Sequence, residues 1–191
     1  MIAGILLAAG EGRRFGNTSK LLAPLADGTP VVRAAARSLL AGGLDRCLTV
    51  VRPEDDDVAR SLEAVGLEVW PCAASYRGMG ASLASGVAAA ENAQGWVIAL
   101  GDMPWIDPGT TAAVADALRD GSLLTVPIHE GQGGHPVGFG AALGPELRVL
   151  DGDAGARSVV FAHRERLTRV AVADPGIHRD VDDPRDLPAS T

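Results

Sequence analysis

Lysine is nearly missing from this chain. Lys20 is its only lysine, and every other basic residue is an arginine. In a chain that otherwise obtains positive charge from the planar guanidinium group, a single lysine indicates a place that needs a compact, mobile ammonium. Lys20 closes a glycine-rich turn, so this turn is the first candidate for a binding site.

Other scarcities exclude whole classes of protein. The two cysteines, Cys47 and Cys72, have neither metal-ligand spacing nor a disulfide framework, which predicts a reducing, cytoplasmic location. A formal net charge of -7 argues against a general nucleic-acid binder, and no apolar run approaches the length of a membrane span. We therefore expect neither nucleic acid nor membrane among the partners. The arginines at 164, 166 and 169 are interpreted as a solvated face.

The composition predicts one globular domain. The chain has 191 residues, of which 47% are hydrophobic and 21% charged, with no internal repeat or dividing linker. Apolar strand patterns alternate with helical patterns, which predicts an α/β fold: Rossmann-like, with a mostly parallel sheet and helices on both faces. Strands are predicted at 4–9, 46–51, 67–70, 96–100, 123–127 and 167–172, and helices at 30–41, 54–65, 78–91, 108–119, 141–150 and 156–164. Residues 129–139 are predicted to form a flexible loop followed by a short strand.

The first strand leads directly into a turn suited to phosphates. The turn contains Gly10, Gly12 and Gly16 together with Arg13-Arg14, and ends at Lys20. Glycine brings backbone N–H groups close to an anion, and the basic side chains neutralise its charge. Taken alone, the same residues also fit a plain turn with solvated arginines.

A carboxylate is predicted to face this turn. Ligands of open α/β sheets bind outside the carboxyl ends of the strands, and Asp102 follows the strand at 96–100. Asp102 is a reasonable Mg²⁺ ligand, although a turn or N-cap aspartate is the other interpretation. The second carboxylate is Asp182 or its neighbour Asp180.

Six blocks of the sequence together resemble a known family. Leu7-Ala8-Ala9-Gly10 with Arg14, Gly16 and Lys20 is similar to the signature of the nucleotidyltransferases that activate molybdenum cofactor, the MobA-like family. Five further blocks match in order, at residues 78–83, 100–104, 134–139, 152–157 and 180–187. Ala9, where guanylyl-transferring relatives usually have glycine, favours the cytidylyltransferases. The loop from Gly16 to Lys20 is one residue longer than is usual in the family.

The resemblance implies a role for each of these residues. It implies a single nucleotide-diphospho-sugar transferase-like domain, with 1–104 mainly binding nucleotide and 105–191 mainly binding acceptor. Arg14, Lys20 and Asp102 would be catalytic, and Asp102 with Asp182 would hold Mg²⁺. The implied nucleotide-binding residues are Leu7, Ala8, Ala9, Gly10, Gly12, Arg14, Lys20, Gly80 and Ser82. The implied acceptor-binding residues are His135, Pro136, Asp153 and Arg157.

The implied partners are CTP or GTP and a molybdopterin-type small molecule. The resemblance also allows an apo-molybdoenzyme as a partner. Three alternatives stay open: nucleotidyl transfer to another phosphorylated acceptor, a carrier of the cofactor, and an oxidoreductase that uses a dinucleotide. The last is disfavoured by the sequence, because the first turn is not a clean G-x-G-x-x-G. In addition, Arg52 follows Val51 where a ribose-binding carboxylate is expected.

Overall fold

The computed structural model describes residues 1–10 and 19–187, and the bounds of its elements follow the predicted alternation. The strands in these ranges are β1 (Ile2–Leu7), β2 (Arg46–Val51), β3 (Glu68–Pro71), β4 (Gly95–Leu100), β5 (Leu124–His129), β6 (Gln132–Gly133), β7 (Val137–Gly140) and β8 (Leu167–Ala171). The α-helices are α1 (Val31–Ala41), α2 (Asp56–Glu63), α3 (Met79–Ala89), α4 (Pro108–Arg119), α5 (Gly144–Leu147) and α6 (Arg157–Ala162).

The largest departure from the predicted elements is at residues 141–150. A helix was expected there, but the chain forms a 3₁₀ turn at Ala141–Leu143 and then a single helical turn, α5. Pro145 accounts for the late start, because proline is tolerated in the first turn of a helix and not in its interior. The segment expected to be a flexible loop before β7 contains β6, which pairs with the end of β5.

One eight-stranded sheet runs through the molecule. Its order is β3-β2-β1-β4-β7-β5-β6, with β8 also paired to β5. β1 pairs in parallel with β2 and β4, and β5 in parallel with β8, whereas β6 and β7 run in the opposite direction. The predicted mostly parallel sheet is therefore confirmed, and the carboxyl ends of β1, β2 and β4 lie side by side at one edge.

Both faces of this sheet are covered by helices, as predicted. Alternate residues of β1 point to opposite faces, so Ile2 and Leu6 pack with α1, α2 and α4, while Ile5 and Leu7 pack with α3. The face of α3 also carries α5 and α6. In the described ranges, no helix combines the length and the apolar character that crossing a membrane requires.

Gly86 lets α3 lie close to the sheet. A Cβ at this position would stand 2.7 Å from a side-chain carbon of Ile5 and 2.9 Å from one of Val50, both in the core. The close approach holds the first turn of α3 near the ends of β1 and β2, where the candidate site lies.

We predict that Gly86→Val lowers the free energy of unfolding by about 1–3 kcal/mol, because overpacking of the core outweighs the helix propensity gained by removing a glycine. Urea unfolding measures the change. Ala88→Val, at an exposed position of the same helix, is the control and should cost about 0.5 kcal/mol or less. Equal losses in the two variants would contradict this account of Gly86.

Candidate active site

Two neighbouring cavities open at the edge of the sheet where β1, β2 and β4 end. The first, which we call the Lys20 cavity, has a volume of about 490 Å³. Its lining residues come mainly from the ends of the first strands, from the turn before α3 and from α3: Leu7, Ala9, Gly10, Lys20, Leu21, Arg52, Ser75, Tyr76, Arg77, Gly78, Met79, Ser82, Leu100, Asp102 and Asp153.

The second, which we call the His135 cavity, has a volume of about 650 Å³. It extends under β4, β5, β7 and β8 and is bounded by the loop before α6 and by α6 itself. Leu7, Met79, Leu100 and Asp153 line both cavities. Ligands in the two cavities would therefore meet across a common wall at the ends of β1 and β4.

Lys20 is the charged centre of the first cavity. Its Nζ donates a hydrogen bond of 2.6 Å to Oδ2 of Asp102 and lies 3.6 Å from Oδ1 of Asp182. The Lys20 side chain is only 11% exposed, and that of Asp102 22%. The structure thus brings together a lysine and two aspartates that are separated by 82 and 162 positions in sequence.

The segment after β8, which contains Asp182, is held in place by the buried carboxylate of Asp174. Asp174 accepts hydrogen bonds from the backbone N–H of Asp107 (2.9 Å), from Oγ1 of Thr110 (2.7 Å) and from the backbone N–H of Gly176 (2.8 Å). Further along, the Val181 N–H donates to the Asp102 carbonyl at 2.9 Å. The segment is in this way fastened along the loop between β4 and α4.

Gly176 is required by this close contact. A Cβ there would stand 2.0 Å from the carbonyl oxygen of Trp105, so no larger residue fits without moving the segment. The Arg179 guanidinium lies over the Trp105 ring, 4.2 Å from its centroid, and adds a second contact along the same path.

The carboxylates of Asp102 and Asp182 could hold a divalent cation. Asp102 and Asp182 both face the Lys20 ammonium, at 2.6 and 3.6 Å, and carboxylate oxygens are ligands that Mg²⁺ and Mn²⁺ prefer. Asp180 is close enough to be affected: burial raises the pKa of its carboxyl, and the neighbouring Asp182 charge raises it further. Within residues 1–10 and 19–187, no three acidic, histidine or cysteine side chains enclose a metal by themselves, so phosphate oxygens and water would complete its coordination.

The first turn is partly described. Leu7, Ala9 and Gly10 line the Lys20 cavity, whereas Ala8 is buried with its N–H bonded to the Val50 carbonyl. The Leu7 carbonyl accepts from the Gly101 N–H, and the Ala9 carbonyl accepts from Nε of Arg52. Gly12 and Arg14, also expected at this site, lie outside the described residues.

The start of α3 contributes one of its two expected residues to the cavity wall. Ser82 lines the Lys20 cavity, and its hydroxyl lies 3.4 Å from the Gly78 carbonyl. Gly80 is buried and packs against the loop before α6: its N–H donates to the Gly152 carbonyl, and a Cβ would stand 2.7 Å from the Asp151 carbonyl. Gly80 therefore positions the helix rather than lining the cavity.

The expected acceptor residues gather at the second cavity. His135, Asp153 and Arg157 line it, and Pro136 is buried beside His135 without forming part of the wall. Burial lowers the pKa of the His135 imidazole, against the opposing effects of the Asp102 charge and the Ile98 backbone, which favours the neutral ring. Its Nδ1 is buried and has no hydrogen-bond partner among the described residues.

Four polar residues of the first cavity were not anticipated: Arg52, Ser75, Tyr76 and Arg77. Arg52 directly follows β2, so the rule that ligands bind at strand ends would have found it. The other three precede Gly78 in a 3₁₀ turn, and no pattern in the sequence marks them. The ion pair between Arg77 and Asp151 fastens this turn to the loop that carries Asp153.

Comparisons with known proteins agree with this architecture. Residues 4–167 match the MobA-like NTP transferase domain. A nucleotidyl transferase from Methanothermobacter thermautotroptrophicus superposes with a TM-score of 0.83 at 26% identity, covering 97% of this chain and 94% of that one. Rv0371c from Mycobacterium tuberculosis H37Rv, in a complex with manganese, has a TM-score of 0.79 at 29% identity, with coverage of 97% and 95%.

One relative is named as an oxidoreductase. Nicotine blue oxidoreductase of Paenarthrobacter nicotinovorans is 28% identical over 95% of this chain and 92% of its own length. The family match nevertheless spans most of the chain, and the chain belongs to the MobA-like NTP transferase family. It is a nucleotidyltransferase with a single-domain α/β fold.

We predict that Asp174→Ala loosens the segment that carries Asp182, because the substitution leaves two N–H groups and a hydroxyl without their acceptor. The free energy of unfolding should fall by about 1–3 kcal/mol, and the Val181 amide should exchange its hydrogen faster. Urea unfolding and hydrogen exchange measure the two effects. Asp116→Ala, on the exposed face of α4, is the control; a Val181 amide as protected in Asp174→Ala as in the control would refute the fastening role.

Proposed function

We propose that this protein transfers CMP from CTP to the terminal phosphate of a molybdopterin-type acceptor and releases pyrophosphate. The observation that carries the proposal is the pair of cavities that share a wall beside Lys20, Asp102 and Asp182. One cavity has the basic side chains and strand-end turn suited to a triphosphate. The other has room for a second small molecule whose phosphate would reach the first across the wall.

The described residues divide the work between binding and charge neutralisation. Ala9 and Gly10 would lie along the base and ribose, with Ser82 beside them, and Lys20 would exchange a carboxylate partner for a phosphate oxygen. Arg52 and Arg77 add positive charge to the same wall, and Arg14 is proposed to join them. Residues 1–104 thus supply nearly all of this cavity, in keeping with a nucleotide-binding half.

The proposed reaction is an in-line displacement at the α-phosphorus. An oxygen of the acceptor phosphate forms a bond to that phosphorus, and the bond to the bridging oxygen of the β-phosphate breaks, so that pyrophosphate leaves with the electron pair. The attacking oxygen is already ionised, so no general base is needed. A Mg²⁺ ion held by Asp102 and Asp182 would neutralise charge on the phosphates.

His135 belongs to the proposed acceptor side. A neutral ring with a buried Nδ1 can exchange a hydrogen bond with a polar atom of the acceptor, which would satisfy the unpartnered nitrogen. Arg157 and Asp153 stand at the same cavity, with Asp153 on the common wall. These three side chains are proposed to orient the acceptor while its phosphate points at Asp102.

The oxidoreductase name of one relative supports a second candidate function. The residue after β2 disfavours this function. A dinucleotide enzyme has a carboxylate there that binds the ribose. In this chain Arg52 follows Val51, and its Nε donates a hydrogen bond to the Ala9 carbonyl. Guanylyl transfer is closer to our proposal, because only the nucleotide changes. The choice between CTP and GTP depends on the residue at position 9.

We expect CTP to be the preferred nucleotide, because Ala9 occupies the position where glycine accompanies guanylyl transfer. Pyrophosphate release from each of the four NTPs, with Mg²⁺ and molybdopterin as the acceptor, measures the preference. Calorimetry with NADPH is the parallel measurement. Equal turnover of GTP and CTP would overturn the cytidylyl assignment, and tight binding of NADPH without binding of CTP would favour the oxidoreductase.

We expect Asp102→Asn to reduce turnover at least about 100-fold, because the amide removes the charge that binds both Lys20 and the metal. Pyrophosphate release and titration with Mn²⁺ measure the loss, with Asp116→Asn as the surface control. Asp182→Asn should weaken Mn²⁺ binding more than Asp180→Asn does, since of these two aspartates Asp182 is the one within ion-pair distance of Lys20. Unchanged Mn²⁺ binding in Asp102→Asn would contradict the assigned metal site.

A further inference from the structure

The His135 cavity has a charge opposite to that of the whole protein. Its ionisable lining residues are three arginines, Arg157, Arg164 and Arg169, with a single carboxylate, Asp153, and the neutral His135. The chain as a whole has a formal net charge of -7. Arginines concentrated in one cavity of an acidic protein indicate a ligand that carries negative charge.

Two of these arginines belong to the predicted solvated face: Arg164 and Arg169 are exposed, as is Arg166, and both also stand at the wall of this open cavity. Arg164 and Arg169 line the cavity, whereas Arg166, between them in sequence, does not. On β8, Leu167 and Arg169 point to the same face of the sheet, and Arg169 is paired with Val126, which also lines the cavity.

The arginine-rich end is far from the place where the phosphate reacts. Asp102 follows β4, while Arg169 lies on β8, and the sheet order puts three strand spacings between these strands. At about 4.8 Å per spacing the separation is roughly 14 Å. We therefore assign the phosphate at Asp102 and the group that Arg169 binds to different ends of the cavity.

The two far arginines are available for an anion. Among residues 1–10 and 19–187, Arg169 has no ion pair. Arg164 lies over the Phe161 ring, 4.5 Å from its centroid, which holds the guanidinium at the rim. Its contact with Glu165 is long, 3.5 Å, and involves a carboxylate that is 85% exposed, so it competes weakly with a ligand.

The wall between the two ends is apolar. Ile98, Val126, Ile128, Phe139, Val160 and Leu167 line it. Such a surface suits a flat or hydrocarbon-like body and offers little to a chain of hydroxyl groups.

We infer that the acceptor is elongated and carries a second anionic group, distinct from the phosphate that receives the nucleotide, which Arg164 and Arg169 bind at the β8 end of the His135 cavity. The inference rests on the proposed function in assigning this cavity to the acceptor. It adds a requirement on substrate class: an elongated molecule with a flat body that lies along the apolar wall and with negative charge at both ends.

The experiment uses two dyes that share a ring system. 1-Anilinonaphthalene-8-sulfonate has a flat apolar body and an anionic group, and N-phenyl-1-naphthylamine has the same body without the charge. We expect the double variant Arg164→Ala/Arg169→Ala to raise the Kd of the sulfonate roughly tenfold or more, and to leave the Kd of the neutral dye within about twofold. Fluorescence titration measures both constants.

Arg166→Ala is the matched control, because it removes the same charge from the same stretch without touching the cavity. It should change neither Kd. Equal weakening of sulfonate binding by Arg166→Ala, or equal weakening of both dyes by the double variant, would overturn the inference, since the first indicates a general charge effect and the second a loss of shape.

The dye measurements are independent of turnover, so their failure is distinguishable from failure of the proposed function. CTP binding, measured by calorimetry in the double variant, should be unchanged because neither arginine lines the Lys20 cavity. In the transfer assay with molybdopterin, the double variant should raise the KM for the acceptor and leave the KM for CTP as it is. An absence of transfer in the unaltered protein would overturn the proposed function while the dyes still decide the anion site.

Discussion

The contact of Lys20 with Asp102 and Asp182 is the interaction on which the site depends. It joins the end of the first turn, the end of β4 and the segment after β8, three parts of the chain that share no local structure. Three aspartates at one strand edge repel one another: the pKa of Asp180 is raised first by burial and then by the charges of Asp182 and Asp102. A buried cation offsets the repulsion, so the lone lysine and the acidic segment stabilise each other's position.

The two cavities follow from the geometry of the sheet. The parallel strands β1 and β4 end at the same edge, and β7, which runs in the opposite direction, begins there, so the residues before it are delivered to the mouth of the second cavity. Two ligands can then lie on the same sheet with only the tips of two strands between them. Such proximity supplies much of what phosphoryl transfer requires, because it replaces an encounter by a fixed arrangement.

Residues near the ends of buried strands could be anticipated from the sequence, and most of them lie at the site. Leu7, Gly10 and Asp102 are of this kind, because an apolar run of strand length followed by a turn fixes where the strand ends. Arg52 obeys the same rule and was overlooked. The buried Asp174 could not be found in this way, since a carboxylate in an irregular segment resembles any surface aspartate until its three donors are known.

The alternation of apolar patterns is sufficient to establish a parallel α/β fold, because the two periods are properties of strands and helices themselves. The rarity of lysine likewise marks the first turn as a candidate binding site from the sequence alone. Only folding decides which carboxylate meets that lysine, that Gly80 packs against a loop while Ser82 lines a cavity, and that Arg164 and Arg169 stand at a cavity while Arg166 does not. These outcomes depend on contacts between distant segments, and a one-dimensional pattern carries no record of which segments will touch.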